Sequence, residues 1–181
     1  AYFSNQMTEH QWRDVLATWW PRLLPGISAG ATHGLIRVGH AVRTLLTGNE
    51  GPAAQTELAH GLAFWAARWR SVPGVTAPAG TLDAAAALDA VPHLTVQQGM
   101  IASRIPKLAD LAGWSASLTS LRPAADAADV EDRLTDLIDA ATVRYLTHGY
   151  GSPVLLVHTA TAPNAVLHTL PVLPQRMWAP S

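Results

Sequence analysis

The sequence predicts an all-α protein, an irregular multi-helix array with little or no β-structure. Three observations support this prediction. Apolar residues recur at helical spacing in several segments, and residues that cap or break helices separate those segments. The alternating apolar pattern of half-buried strands, with the short turns of hairpins, is absent. A regular four-helix bundle is not expected, because the predicted helices differ in length and their connections are long.

The first third of the chain predicts three helices. The pattern Thr8-Glu-His-Gln11 is typical of a capping box and predicts a helix from Thr8 to about Leu24. A second helix is expected from Ser28 to about Thr47, and a third from Pro52, which suits a first helical turn. The apolar faces of the first and third helices carry Trp12, Val15, Leu16, Trp19 and Leu23, and Leu58, Leu62, Trp65 and Trp69 respectively.

The remaining pattern is weaker except in one segment. A short alanine-rich helix is expected over residues 82–91, and the stretch 95–121 is interrupted by Pro106 and Gly113. Residues 124–147 form a clear amphipathic helix, whose aspartates we interpret as its solvated face. Residues 154–157 fit a short strand or the start of a helix, and residues 164–170 a short helix.

Composition limits the functional classes. The 181 residues suffice for one domain, and the net charge of −1 gives no basic surface for nucleic acid. No apolar run approaches the roughly 20 residues of a membrane span. The chain has no cysteine and no signal peptide, so a cytoplasmic protein is expected. No phosphate-binding loop, dinucleotide-binding glycine motif or nucleophile elbow is present.

Two histidines stand among small and apolar residues with no acidic neighbour. His33 lies in the stretch 30–41, and His158 follows an apolar run and precedes Thr-Ala-Thr-Ala-Pro. Because buried polar groups need partners, each ring has two explanations, a functional role or a hydrogen-bonded core histidine, and His158 is expected to point into the interior. Imidazole suits zinc, iron, copper or nickel. No closely spaced histidine pair marks a metal site by itself.

Helix geometry separates His33 from a third histidine, His40. Seven residues place the two on one helical face but about 10 Å apart along the axis. Two nitrogens bound to one metal must lie within about 4 Å of each other. One metal is therefore expected to take only one of them, and His40 would be a neighbour of the ligands, a substrate contact or a packed residue.

Other candidates have ordinary structural explanations beside their functional ones. The tryptophans at helical spacing fit a core or an aromatic lining for a flat substrate. His148 fits a helix C-terminus, where a positive ring is favourable, and His60 fits a hydrogen-bonded core histidine. We assign substrate-binding or ligand-supporting roles to His40, Trp65 and His148.

Four stretches together resemble the questin oxidase family, in its actinobacterial form. They are the tryptophan-rich segment at 12–26, Thr-His-Gly-Leu-Ile-Arg-Val-Gly-His-Ala at 32–41, Arg-Tyr-Leu-Thr-His-Gly at 144–149, and Leu-Leu-Val-His-Thr-Ala-Thr-Ala-Pro-Asn-Ala at 155–165. The stretches are spread over nearly the whole chain.

The resemblance implies a mainly helical oxidoreductase. Its reaction would be an oxygen-dependent, Baeyer–Villiger-like ring cleavage of an aromatic polyketide or anthraquinone, with NADPH as possible electron donor and non-haem iron as possible cofactor. His33 and His158 match the positions of metal ligands. His40 falls where fungal relatives tend to have tyrosine, so it is not carried over as a ligand.

The chain departs from the family pattern in one respect. Family members are longer and contain an Asn-His segment and a His-and-Lys segment that are not found here, and Lys107 does not stand in the matching context. We therefore expect one helical domain over residues 1–181, the central part of a longer chain. Missing segments or a second subunit in a homo-oligomer would complete the site. The alternative is a non-catalytic helical module that binds a flat hydrophobic molecule.

Overall fold

The computed structural model describes all 181 residues and confirms the all-α architecture. It contains nine α-helices and no sheet. One isolated parallel bridge joins Leu82 to Leu121. The helices are α1 (Tyr2–Glu9), α2 (Trp12–Leu23), α3 (His33–Leu46), α4 (Pro52–Ala67), α5 (Ala84–Asp89), α6 (Ile101–Arg104), α7 (Trp114–Ser120), α8 (Ala127–His148) and α9 (Pro153–Thr169). None of them is long and apolar enough to cross a membrane.

The predicted start of the first helix, at Thr8, was wrong. Thr8 does not cap a helix; it lies inside α1, where its hydroxyl donates to the Asn5 carbonyl at 2.7 Å. The following helix begins at Trp12, after Gln11 in extended conformation. Ser28 likewise opens no helix, because the chain turns through residues 27–32 before α3 starts at His33. Pro52 does occupy the first turn of α4, as its fixed φ suits.

The C-terminal half contains one long helical hairpin. Asp126 caps α8 by accepting from the backbone N–H of Asp129 at 3.0 Å, which satisfies one of the free donors of the first turn. The short elements expected at 154–157 and 164–170 are parts of one helix, α9, which passes through Pro163. The strand alternative for residues 154–157 was therefore wrong.

The core lies between α2, α3, α4 and α9. Helix α3 packs on α4 and α9, and α8 covers α9 on its other side. The fully buried side chains include Leu16, Trp20, Leu35, Leu58, Leu62, Trp65 and Val166. Between residues 68 and 126, by contrast, only Ala84 and Ala87 are buried. This poorly buried segment forms walls of the two cavities described below.

Candidate functional site

His33 and His158 meet in space although 125 residues separate them in sequence. The Nε2 atoms of the two rings are 3.0 Å apart. The ring centroids are 4.8 Å apart and the planes nearly perpendicular, at 81°. His33 is the first residue of α3, and His158 lies in the second turn of α9. The pairing brings together the two histidines that the sequence analysis selected as metal ligands.

The far nitrogens of both rings are held by backbone carbonyls. Nδ1 of His33 lies 2.7 Å from the Gly30 oxygen, and Nδ1 of His158 contacts the Val154 oxygen. A carbonyl oxygen only accepts hydrogen bonds, so each Nδ1 must carry a hydrogen. Each neutral ring then has its lone pair on Nε2, and the two lone pairs face each other. A metal ion bound beside both Nε2 atoms would remove this repulsion.

The turn before α3 explains the first of these contacts. Gly30, Ala31 and Thr32 have φ values of 58°, 55° and 62°, in the left-handed region that favours glycine. A non-glycine residue there costs about 1–2 kcal/mol, so Ala31 and Thr32 store strain. The turn aims the Gly30 carbonyl back at the His33 ring. It stays in place because Ala29 is buried and Phe64 packs against Gly30.

Small residues let α3 and α9 approach closely enough for the rings to touch. A Cβ on Gly39 would lie 2.7 Å from the Ala165 Cβ and 2.8 Å from its Cα. The His33–His158 contact lies six residues before Gly39 on α3 and seven before Ala165 on α9. The two helices therefore run in the same direction from the first contact to the second. Gly39 sets the distance between the helices.

The histidine pair fits two positions of a metal site. Ligand nitrogens about 2.1 Å from a metal and at right angles around it are about 3.0 Å apart, which matches the observed separation. Carbonyl acceptors on the far ring nitrogens are the usual support of metal-bound histidine. No group of three or more metal-ligating side chains occurs in the 181 residues. The chain thus contributes two imidazoles, and His33 is exposed enough for further ligands to reach them.

Both rings are less buried than the sequence suggested. His158 was expected to point into the interior and is half-buried, and His33, which the core-histidine alternative would bury, is exposed. The reason is their position at the end of the α3–α9 contact, outside the core cluster. His60, expected in the core, is exposed on α4 as well.

A cavity of about 800 Å³ opens beside His33. Its walls come from the strained turn, the end of α4 with the loop that follows, and the segment around α6. Phe64 and Trp69 give it an aromatic wall, and Arg68 and Arg70 contribute positive charge. The volume lies within the range of small-molecule pockets. Sequence reasoning missed Phe64, Arg68 and Arg70. The spacing of Phe64 and Arg68, four residues apart, placed them on one helical face.

A second cavity, of about 580 Å³, contains His148. Its walls also include His93, Arg104 and Arg144, and it shares Ile101 and Ile105 with the first cavity. Nδ1 of His148 lies 2.7 Å from the Thr147 hydroxyl. His148 therefore lines a cavity, as a substrate contact would, but not the cavity that His33 lines.

Trp65 does not line either cavity. Its side chain is fully buried, its indole N–H donates to the Gly26 carbonyl at 3.0 Å, and its ring meets Trp20 edge to face at 5.8 Å. It packs against α3, since a Cβ on Gly34 would lie 2.6 Å from the Trp65 Cβ. The substrate-facing role expected for Trp65 is thus replaced by a role in the core, because its neighbour Phe64 points to the cavity instead.

His40 lies apart from the pair, near the other end of α3. It is exposed, and its positive charge acts on His168 of α9 together with that of Arg43. Burial is the main cause that lowers the pKa of His168, and the two neighbouring charges lower it further. The structure thus brings His33 to His158 and leaves His40 with His168.

Comparison of the chain with protein-family models, with curated proteins and with solved structures gives no match.

Proposed function

We propose that this protein is an oxygen-dependent oxidoreductase of the questin oxidase type. Its substrate would be an aromatic polyketide or anthraquinone in the cavity beside His33, and its metal a non-haem iron held by His33 and His158. The observation that carries the proposal is the pair of Nε2 atoms 3.0 Å apart whose far nitrogens both donate to backbone carbonyls. The resemblance of the four sequence stretches supplies the reaction class.

The chain's own residues would bind and orient the reactants. His33 and His158 would present their Nε2 lone pairs to the metal, and the Gly30 and Val154 carbonyls would hold the rings by their Nδ1 atoms. Phe64 and Trp69 provide apolar surface for a flat ring and displace water from it. Bound iron would supply the activation of O₂, with NADPH as the source of two electrons.

The remaining metal ligands would come from outside these 181 residues. Further segments of a longer chain, of which this domain is the central part, or a second subunit of a homo-oligomer would supply them. The composition, without cysteine, suits a cytoplasmic enzyme. No nucleic-acid partner is proposed.

Metal analysis of the purified protein tests the proposal. After expression in iron-supplemented medium, we expect near-stoichiometric iron by inductively coupled plasma mass spectrometry, and O₂ consumption with an anthraquinone and NADPH. His33→Ala should lose both, whereas His40→Ala, on the same helix but away from the pair, should keep both. Iron content and turnover that survive in His33→Ala would refute the assignment.

The cavity also favours a second candidate, a non-catalytic module that binds a flat hydrophobic molecule. Its volume suits such a ligand, and its aromatic wall needs no metal. This alternative predicts that an anthraquinone quenches tryptophan fluorescence equally in the presence and absence of a chelator. The oxygenase proposal predicts turnover that a chelator abolishes.

A further inference from the structure

The cavity beside His33 has an unbalanced charge. Arg68 and Arg70 line it, and no aspartate or glutamate does. Apart from His33, its other lining residues are neutral: aliphatic and aromatic side chains, glycine, proline, and the hydroxyls of Ser28 and Ser71. A cavity with this lining attracts anions, because its apolar walls weaken the screening of the two guanidinium charges.

Both arginines are available to a ligand. Neither forms an ion pair or donates a side-chain hydrogen bond within the chain. Four other arginines are paired with carboxylates: Arg13 with Glu50, Arg37 with Glu57, Arg133 with Asp129 and Asp136, and Arg144 with Asp89. The guanidinium groups of Arg68 and Arg70 are therefore free to donate to a ligand in the cavity.

Arg68 is also held in one place. Its guanidinium carbon lies 3.9 Å from the centroid of the Phe64 ring, in a cation–π contact. Its stem packs on the strained turn, since a Cβ on Gly30 would lie 3.2 Å from its Cδ. The contact with the ring uses none of the guanidinium N–H groups as hydrogen-bond donors to the rest of the chain. Such an edge matches the two oxygens of a carboxylate.

The aromatic wall lies next to these charges. Trp69 follows Arg68 directly, and its indole N–H donates to the Leu23 carbonyl at 3.2 Å. The polar atom of the indole is thus satisfied, and what it offers the cavity is apolar ring surface. Met100, 78% exposed, also lines the cavity, together with Ile101 and Ile105.

We propose that this cavity binds an aromatic carboxylate, with the acid group on Arg68 and Arg70 and the rings between Trp69 and the α6 segment. The inference rests on the proposed function in taking this cavity as the substrate site. It adds that the substrate is an anion, oriented with its acid group at the end of α4. The same arginines would reject a cationic ring system.

Two matched probes test the proposal, 2-naphthoate and its neutral methyl ester, by isothermal titration calorimetry on chelator-treated protein. We expect naphthoate to bind at least about tenfold more tightly than the ester, as hydrogen bonds to a charged group suggest. Arg68→Gln, and more so Arg68→Gln with Arg70→Gln, should remove this preference and leave ester binding within about twofold, because the uncharged ester makes only apolar contacts.

Arg22→Gln provides the matched control. Arg22 stacks over Trp19 at 5.0 Å, as Arg68 stacks over Phe64, but lies outside the cavity. Its removal should not change the preference. The charge assignment alone would be overturned if the wild type bound the two probes with equal affinity, or if the preference for naphthoate survived in the double variant. Absence of binding by either probe would overturn it together with the substrate placement of the proposed function, whereas iron content tests the metal site separately.

Discussion

Helices α3 and α9 bring histidines together at two places, and the places differ in what holds the rings. At the first, His33 and His158 touch through Nε2, and both far nitrogens donate to carbonyls. At the second, His168 is half-buried and its pKa is lowered, first by burial and then by the charges of Arg43 and His40. No carboxylate is among the causes of that shift.

The difference concerns what the proposed metal site needs from a histidine contact. The first pair brings the Nε2 lone pairs of two rings together, as the proposed metal site requires. The second gathers positive charge around a ring that burial keeps neutral, which disfavours any further cation. In our proposal, the backbone partners of the Nδ1 atoms, and not proximity alone, distinguish a metal-binding histidine from a packed one.

The largest expected effect is a loss of metal affinity, which should follow from a change at the first place and not at the second. His158→Ala removes one of two ligands and should weaken Zn²⁺ binding by more than about 100-fold, beyond the 10–100-fold loss typical when only a ligand's supporting partner is removed. His168→Ala, the control on the same helix, should leave the affinity unchanged. Calorimetric titration with Zn²⁺ measures both. Equal loss in the two variants would mean that the pair is not the site.

A larger side chain at Gly39 should force α3 and α9 apart, which should break the His33–His158 contact and destabilise the fold. Gly39→Val places a side chain where the Ala165 backbone already lies, and overpacking of this kind costs about 1–3 kcal/mol. Gly151→Val, with no atom near its Cβ, is the control. Urea unfolding measures the free energy, and Zn²⁺ titration reports the separation of the rings. An unchanged Zn²⁺ affinity in a destabilised Gly39→Val would show that Gly39 does not set the distance.

A substitution in the strained turn should raise the stability of the protein, in contrast to Gly39→Val. Ala31→Gly removes a left-handed alanine and should stabilise the protein by up to about 1 kcal/mol. Ala29→Gly, at a buried neighbour outside the left-handed region, should destabilise it by about 0.5–1 kcal/mol. Thermal and urea unfolding measure both. Destabilisation by Ala31→Gly as well would show that the turn stores no strain at this residue.

The smallest expected effect concerns pH at the second place. Because the folded state lowers the pKa of His168, the unfolded chain binds a proton more readily. Stability should therefore fall as pH drops below the ordinary histidine value of about 6.5, and level off below the folded pKa. His168→Gln should flatten this slope and His10→Gln, at an exposed position, should not. An equal slope in His168→Gln would contradict the assignment.

The fold class and the two histidines could be predicted, but neither their meeting in space nor their surroundings could. Helical periodicity gave the faces of α2, α4 and α8, and resemblance selected His33 and His158. The turn before α3 escaped prediction because Ala31 and Thr32 adopt a conformation that their side chains disfavour. Periodicity left the tryptophans as either core or cavity residues, because it shows that neighbours on a helix face different ways but not which of them meets the core; Trp65 lies in the core and Phe64 lines the cavity.

The most direct test is a long-range ¹H–¹⁵N correlation spectrum of the histidine rings, recorded without metal and during titration with Zn²⁺, a diamagnetic ion that imidazole binds. We predict a hydrogen on Nδ1 of both His33 and His158. One equivalent of Zn²⁺ should shift both Nε2 signals together and leave His40 and His168 unchanged. The proposed metal site would be contradicted if the neutral ring of His33 or His158 carried its hydrogen on Nε2 and none on Nδ1. It would also be contradicted if Zn²⁺ first shifted the signals of another histidine.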